Sequence, residues 1–114
     1  MTYIIAGATG TTGRAIATEL ARTDKVHLIG RDESALKELA DNLNSSYSLI
    51  NIENPIPVKE FQQTVEIDEI KGLVNCIGSI YLRPLHGSTI EDFNAVVNTN
   101  LFSSFYLLSA FARR

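Results

Sequence analysis

The sequence is poor in the residues that staple, chelate or anchor a chain. A single cysteine, Cys76, excludes an internal disulfide, and the two histidines, His27 and His86, lie too far apart to form a cluster with metal-ligand spacing. No metal is expected. Basic residues are outnumbered, 10 Lys and Arg against 13 Asp and Glu for a net charge of −3, so there is no basic stripe to neutralise nucleic-acid phosphates. No apolar run reaches membrane-spanning length, and the N-terminal residues lack the basic and apolar regions of a signal peptide. The expectation is a cytoplasmic protein with neither a nucleic-acid nor a membrane partner. What is present is ordinary for a globular domain: 45% hydrophobic and 20% charged residues, in 114 residues that suffice for one core and not for two.

Against that background one stretch stands out. Ile4-Ile5-Ala6 is a short apolar run that breaks into Gly7-Ala8-Thr9-Gly10-Thr11-Thr12-Gly13, with glycines spaced three and three, and then resumes at helical period through Ile16, Ala17 and Leu20. A strand, a glycine turn and a helix start in that order make an anion site, because free backbone N–H groups and the positive end of the helix dipole point at one spot. Gly7 would permit the tight turn, Gly10 would let a pyrophosphate approach bare backbone, and Gly13 would let the helix lie close on the sheet.

The remainder alternates. A first helix over about residues 11–22 is followed by a short buried strand at Val26–Ile29 that ends at Gly30. Leu36, Leu39, Ala40 and Leu43 recur at helical spacing and predict a helix over residues 33–43. Tyr47–Ile50 reads as a third strand, closed by a segment holding Pro55 and Pro57. Val58, Phe61 and Val65 predict a short helix, and Leu73–Ile77 a fourth strand ending at Gly78. Ser88 with Glu91 has the form of a capping box opening a helix with Ile90, Phe93 and Val97, after which Leu101, Phe105, Leu108 and Ala112 line one side of the last helix. Strands separated by helices of this length require a parallel sheet, so the expected fold is a single doubly wound, Rossmann-like α/β domain over residues 1–114.

Three segments together resemble the N-terminal half of the short-chain dehydrogenase/reductase family: the glycine run Gly7–Gly13, Asn75-Cys76-Ile77-Gly78 at the end of strand four, and Val97-Asn98-Thr99-Asn100-Leu101. The resemblance covers essentially the whole chain. It implies a nicotinamide-dependent oxidoreductase acting on carbonyl or alcohol groups, with strand order 3-2-1-4 in the part present. Asn75 and Gly78 match the first and last positions of the family's Asn-Asn-Ala-Gly pattern, whose backbone, Ile77 included, lies beside the adenosine ribose. Asn100 falls on the asparagine of the family's catalytic tetrad, whose backbone holds a water of the proton relay. The glycine spacing is that of the family's extended and atypical branches, whereas another branch spaces its glycines four and then two.

One departure limits the chemistry. The family's Ser and its Tyr-x-x-x-Lys lie after the next strand, and no Tyr-x-x-x-Lys occurs among these residues. The acid that would exchange the substrate proton is therefore missing, along with the lysine that would lower its pKa. The expectation is cofactor binding without efficient turnover by this chain alone. A non-catalytic dinucleotide-binding or assembly module is the alternative.

Cofactor choice is argued from the end of strand two, where a carboxylate would accept from NAD ribose hydroxyls and a small residue followed by a cation would admit the NADP 2′-phosphate. Gly30-Arg31 favours NADP(H), with NAD(H) as the alternative; the next residue, Asp32, sits where a helix N-cap would be. Asn51-Ile52, after strand three, occupies the family's adenine-binding places, where an asparagine carbonyl can accept from the adenine amino group. Cys76 is expected to pack as a small apolar group, and His86 to be an isolated loop residue. Apolar residues surround much of the last helix, from Leu101 to Phe111, which suits a helix covered on two sides. A homo-oligomer is expected, formed through that helix or an exposed sheet edge.

Overall fold

The computed structural model describes residues 2–51, 57, 59, 61, 70–78 and 85–111. Strand β1 (Thr2–Ala6) leads into helix α1 (Thr11–Leu20), then β2 (Lys25–Gly30), α2 (Glu33–Leu43), β3 (Ser46–Leu49) and β4 (Ile70–Asn75). A 3₁₀ turn at Leu85–Gly87 precedes α3 (Ile90–Val97), a π-helical segment at Asn98–Phe102, and α4 (Ser103–Phe111). The four strands form one sheet in the order β3-β2-β1-β4, with every pair parallel, as the resemblance implies. Central β1 pairs with β2 through Ile5 and Leu28 and with β4 through Ile5 and Val74.

Alternation along β1 divides the core between the two faces of the sheet. Ile5 packs with Leu28, Ala17, Leu36 and Leu39 beneath α1 and α2. Ile4 and Ala6 pack with Ile29, Leu107 and Phe111 beneath α4. Both faces of β1 are thus covered, as a parallel sheet demands, and each fully buried Leu or Ile contributes about 1.5–3 kcal/mol relative to exposure.

Local signals set the element ends. At the start of α2 the Asp32 carboxylate accepts from the Ala35 amide at 3.2 Å, and at its end Asn44 turns left-handed with φ 52°, so the helix spans the expected 33–43. The edge strand β3 is held to β2 by His27, whose Nδ1 and Nε2 lie 2.6 Å and 2.8 Å from the Ser46 and Ser48 hydroxyls and whose ring stacks on Phe61 at 5.3 Å. Burial lowers the pKa of that imidazole.

Two sequence expectations are corrected. Strand β4 starts at Ile70 and ends at Asn75, so Cys76 and Ile77 lie beyond it; Lys71, held by Asp24 at 3.1 Å, belongs to the strand. The capping box is one residue later than expected: Thr89 accepts from the Asp92 amide and Asp92 accepts from the Thr89 amide, both at 3.1 Å. In the last helix the core-facing residues are Ser103, Leu107 and Phe111, while Leu101, Phe105 and Leu108 point outward. Of the short helix expected at Val58, Phe61 and Val65, only Phe61 is described, with helical backbone like Pro57 and Lys59; Pro84 and Ala112 lie outside the described residues.

Candidate functional site

The carboxyl ends of the strands open onto a cleft of about 490 Å³ lined by Gly7, Thr9, Gly10, Gly30, Arg31, Asp32, Ile50, Cys76, Ile77, Gly78 and Thr99. It lies where the strand order reverses, β2 and β3 on one side of β1 and β4 on the other, which is the place where open α/β sheets bind ligands.

Its floor is the β1–α1 turn. Gly7 has φ +75°, a backbone region that side chains rarely adopt, and an added Cβ would stand 2.8 Å from the Cys76 carbonyl carbon. At Gly13 an added Cβ would stand 2.0 Å from the Gly7 carbonyl oxygen, so any other residue would push α1 off the turn. The Gly7 amide donates to Ile29 at 3.1 Å and the Cys76 amide to Ala6 at 2.9 Å, which fastens the turn to both neighbouring strands. Helix α1 starts without a side-chain cap and with no acid in its first turn; Arg14 donates to Gly10 at 2.8 Å, so the amides of Thr11, Thr12 and Gly13 precede its own bonding ladder. Those amides and the helix dipole form a preorganised anion cradle, and Gly10 leaves it open, with the Gly7 oxygen at 3.6 Å the nearest atom to an added Cβ.

The walls differ in character. On the β2 side stand Gly30 and Arg31, the one cation among the lining residues. Asp32 lines the same side, but its carboxylate is committed to the α2 cap. Ile50 is buried there, its amide donating to Gly30 at 3.0 Å, and Asn51 follows it exposed on the surface. Ile52 lies outside the described residues. On the β4 side are Cys76, Ile77, Gly78 and Thr99. Cys76 is half-buried and faces the cleft, and burial raises its thiol pKa. His86 lies in the 3₁₀ turn, exposed and outside the cleft.

Asn100 sits in the π segment. Its Nδ2 donates to the Val96 carbonyl at 3.0 Å, and an added Cβ on Gly78 would stand 3.0 Å from its Oδ1. A side chain bonded to a carbonyl four residues back interrupts the helix's ladder, which accounts for the wide turn between α3 and α4.

The structure therefore gathers Gly7, Thr9, Gly10, Arg31, Ile77 and Gly78 around one cleft, with Thr11, Thr12 and Gly13 in the helix turn beside it and Asn75 and Asn100 behind its β4 wall. Ile50, Cys76 and Thr99 were not anticipated as lining residues. Ile50 directly follows the third strand, and its place opposite the glycine turn follows once the strand order is known. Thr99 carries no such signal, because the π segment shifts the phase of the helix. Among the described residues, no group of three His, Cys, Asp or Glu is placed to hold a metal, and no helix is long and apolar enough to cross a membrane.

A parallel 3-2-1-4 sheet with a glycine turn feeding a helix at its switch point defines the dinucleotide-binding class of α/β domain. Comparison with known proteins narrows the class: the family model described as short chain dehydrogenase matches residues 1–114, and the chain belongs to that family. Among curated relatives, senescence-associated protein 13 of Arabidopsis thaliana is 31% identical, with 94% of this chain aligned to 43% of that protein. A tropinone reductase homolog of the same plant is 30% identical, with 94% of this chain aligned to 45% of it. The chain thus spans less than half the length of these relatives. Among solved structures, serine dehydrogenase from Escherichia coli superposes with TM-score 0.89 at 26% identity, covering 98% of this chain and 55% of that one. A closed form of serine dehydrogenase complexed with NADP+ gives 0.88 at 26% identity, over 97% and 47%.

Proposed function

We propose that this chain is the NADP(H)-binding portion of an oxidoreductase that acts on carbonyl or alcohol groups. One observation carries the reading: Arg31 stands on the cleft wall at the end of β2, next to a residue without a side chain, while the nearby carboxylate of Asp32 is engaged in capping α2. A cation there pairs with a 2′-phosphate, and the Asp32 carboxylate is turned through Oδ1 to the first turn of α2. In this reading the diphosphate lies against the Gly7–Gly13 turn, on the amides of Thr9, Thr11, Thr12 and Gly13, with Gly7 and Gly10 keeping the approach free of side chains; the adenine rests near Ile50, Asn51 and Ile52, and the ribose near Asn75, Ile77 and Gly78. The bound nicotinamide supplies hydride transfer. Asn100 takes the tetrad position of the family.

No Tyr-x-x-x-Lys is found in the 114 residues, so the proton donor has to come from elsewhere, and these residues alone should bind cofactor without turning over substrate. A cytoplasmic setting accords with the lone thiol. Self-association through the last helices is part of the same reading, because Ile90, Phe93, Leu101, Phe105 and Leu108 are each more than half exposed along α3, the π segment and α4. That surface also favours the second reading, an assembly module that binds nucleotide without catalysis.

Calorimetric titration with NADPH and NADH tests the proposal. NADPH should bind about tenfold or more tightly than NADH, the advantage of one charge-assisted phosphate contact. Equal affinities, or tighter NADH binding, would remove the Arg31 argument.

A further inference from the structure

The two sides of the β4 wall are tied by a chain of hydrogen bonds whose direction is fixed. Asn75, the last residue of β4, accepts from the Ile77 amide through Oδ1 at 3.0 Å and donates through Nδ2 to Ser104 Oγ at 2.8 Å. Ser104 in turn donates to the Asn100 carbonyl at 3.0 Å. A backbone N–H can only donate, which orients the Asn75 amide; the amide nitrogen also only donates, which leaves the single Ser104 proton directed at Asn100. Ile77 lines the cleft from the strand side, and Thr99, the neighbour of Asn100, lines it from the helix side. Asn100 lies in a π segment, where the regular α ladder does not set the position of the carbonyls.

We propose that Ser104 is a positioning residue for the nucleotide: through Asn75 it holds the helix side of the wall, at Thr99 and Asn100, against the strand side, at Ile77 and Gly78. This rests on the NADP(H) reading above. It acts at the adenosine end, where the ribose is placed beside Ile77 and Gly78, from the side of β1 opposite to Arg31.

The test is calorimetry on the full chain with NADPH and with 2′,5′-ADP, which carries only the adenosine end. Ser104→Ala should weaken NADPH and 2′,5′-ADP alike, each about fivefold, the effect of one lost hydrogen bond. Ser104→Thr keeps the hydroxyl and should restore NADPH affinity. A loss of NADPH affinity that 2′,5′-ADP does not share, or no loss of either ligand, overturns the proposal. If the unaltered chain binds neither ligand, the NADP(H) reading fails and takes this one with it; if it binds NADPH and Ser104→Ala binds equally well, only the role of Ser104 is refuted.

Discussion

The β1–α1 unit and the α3–α4 ridge use apolar residues in opposite ways. In the first, Ile4 and Ile5 are buried to within 1% and the glycines bring the helix into contact with the turn. In the second, Phe93 is 61% and Phe105 63% exposed, and only Ser103, Leu107 and Phe111 turn inward. The first region is complete as an anion cradle. The second presents apolar side chains that are exposed among the described residues. The proposed cofactor binding and the proposed self-association therefore rest on different residues.

The largest effect should come from closing the first region. Gly13→Val places carbon where the Gly7 oxygen lies, and should cost about 3 kcal/mol or more in urea unfolding while abolishing NADPH binding. Wild-type stability in that variant would break the contrast. Next, Arg31→Asp should move the NADPH-to-NADH preference by about a hundredfold, since a phosphate partner is lost and a repulsive carboxylate gained. Unchanged selectivity in paired titrations would remove Arg31 from the site.

In the second region, Phe105→Glu should weaken self-association about tenfold or more in sedimentation while changing the unfolding free energy by less than about 0.5 kcal/mol. A large loss of stability would mean that the residue serves the core. Removing the α2 cap with Asp32→Ala should cost about 1 kcal/mol in thermal unfolding and leave NADPH affinity intact. Loss of affinity would give Asp32 a part in binding.

The smallest effect is pH-dependent. Burial lowers the His27 pKa below its ordinary value of 6.5, so as pH falls through about 6.5 the unfolded chain takes up a proton before the folded chain does, and stability declines. His27→Asn should flatten the fall in Tm between about pH 7 and pH 5. An unchanged slope would assign it to other groups.

Legibility from sequence follows the same division. The glycine turn could be read because its demands are geometric: a positive φ at Gly7 and a contact at Gly13 that no side chain permits. Helix α2 could be read because Asp32 starts it and Asn44 stops it. Strand order came from the resemblance, since periodicity does not say which strands are neighbours. On the ridge, a helical stripe announced an apolar face without saying which face meets the sheet. Its cap moved from Ser88 to Thr89 because both can cap, and Asp92 reaches back to the second. The π segment left no mark in the hydrophobic pattern; it shows itself in the bond from the Asn100 side chain to Val96.

The central proposal is that the Gly7–Gly13 turn, through the amides that open α1, holds the diphosphate of a dinucleotide. Titrating isotope-labelled protein with NADPH, with each amide followed by NMR, tests it most directly. The largest saturable shifts should fall on Gly7, Gly10 and the first turn of α1, with Ile77 and Gly78 moving in step. Shifts confined to other parts of the surface, or a turn that stays silent while NADPH binds, would contradict it.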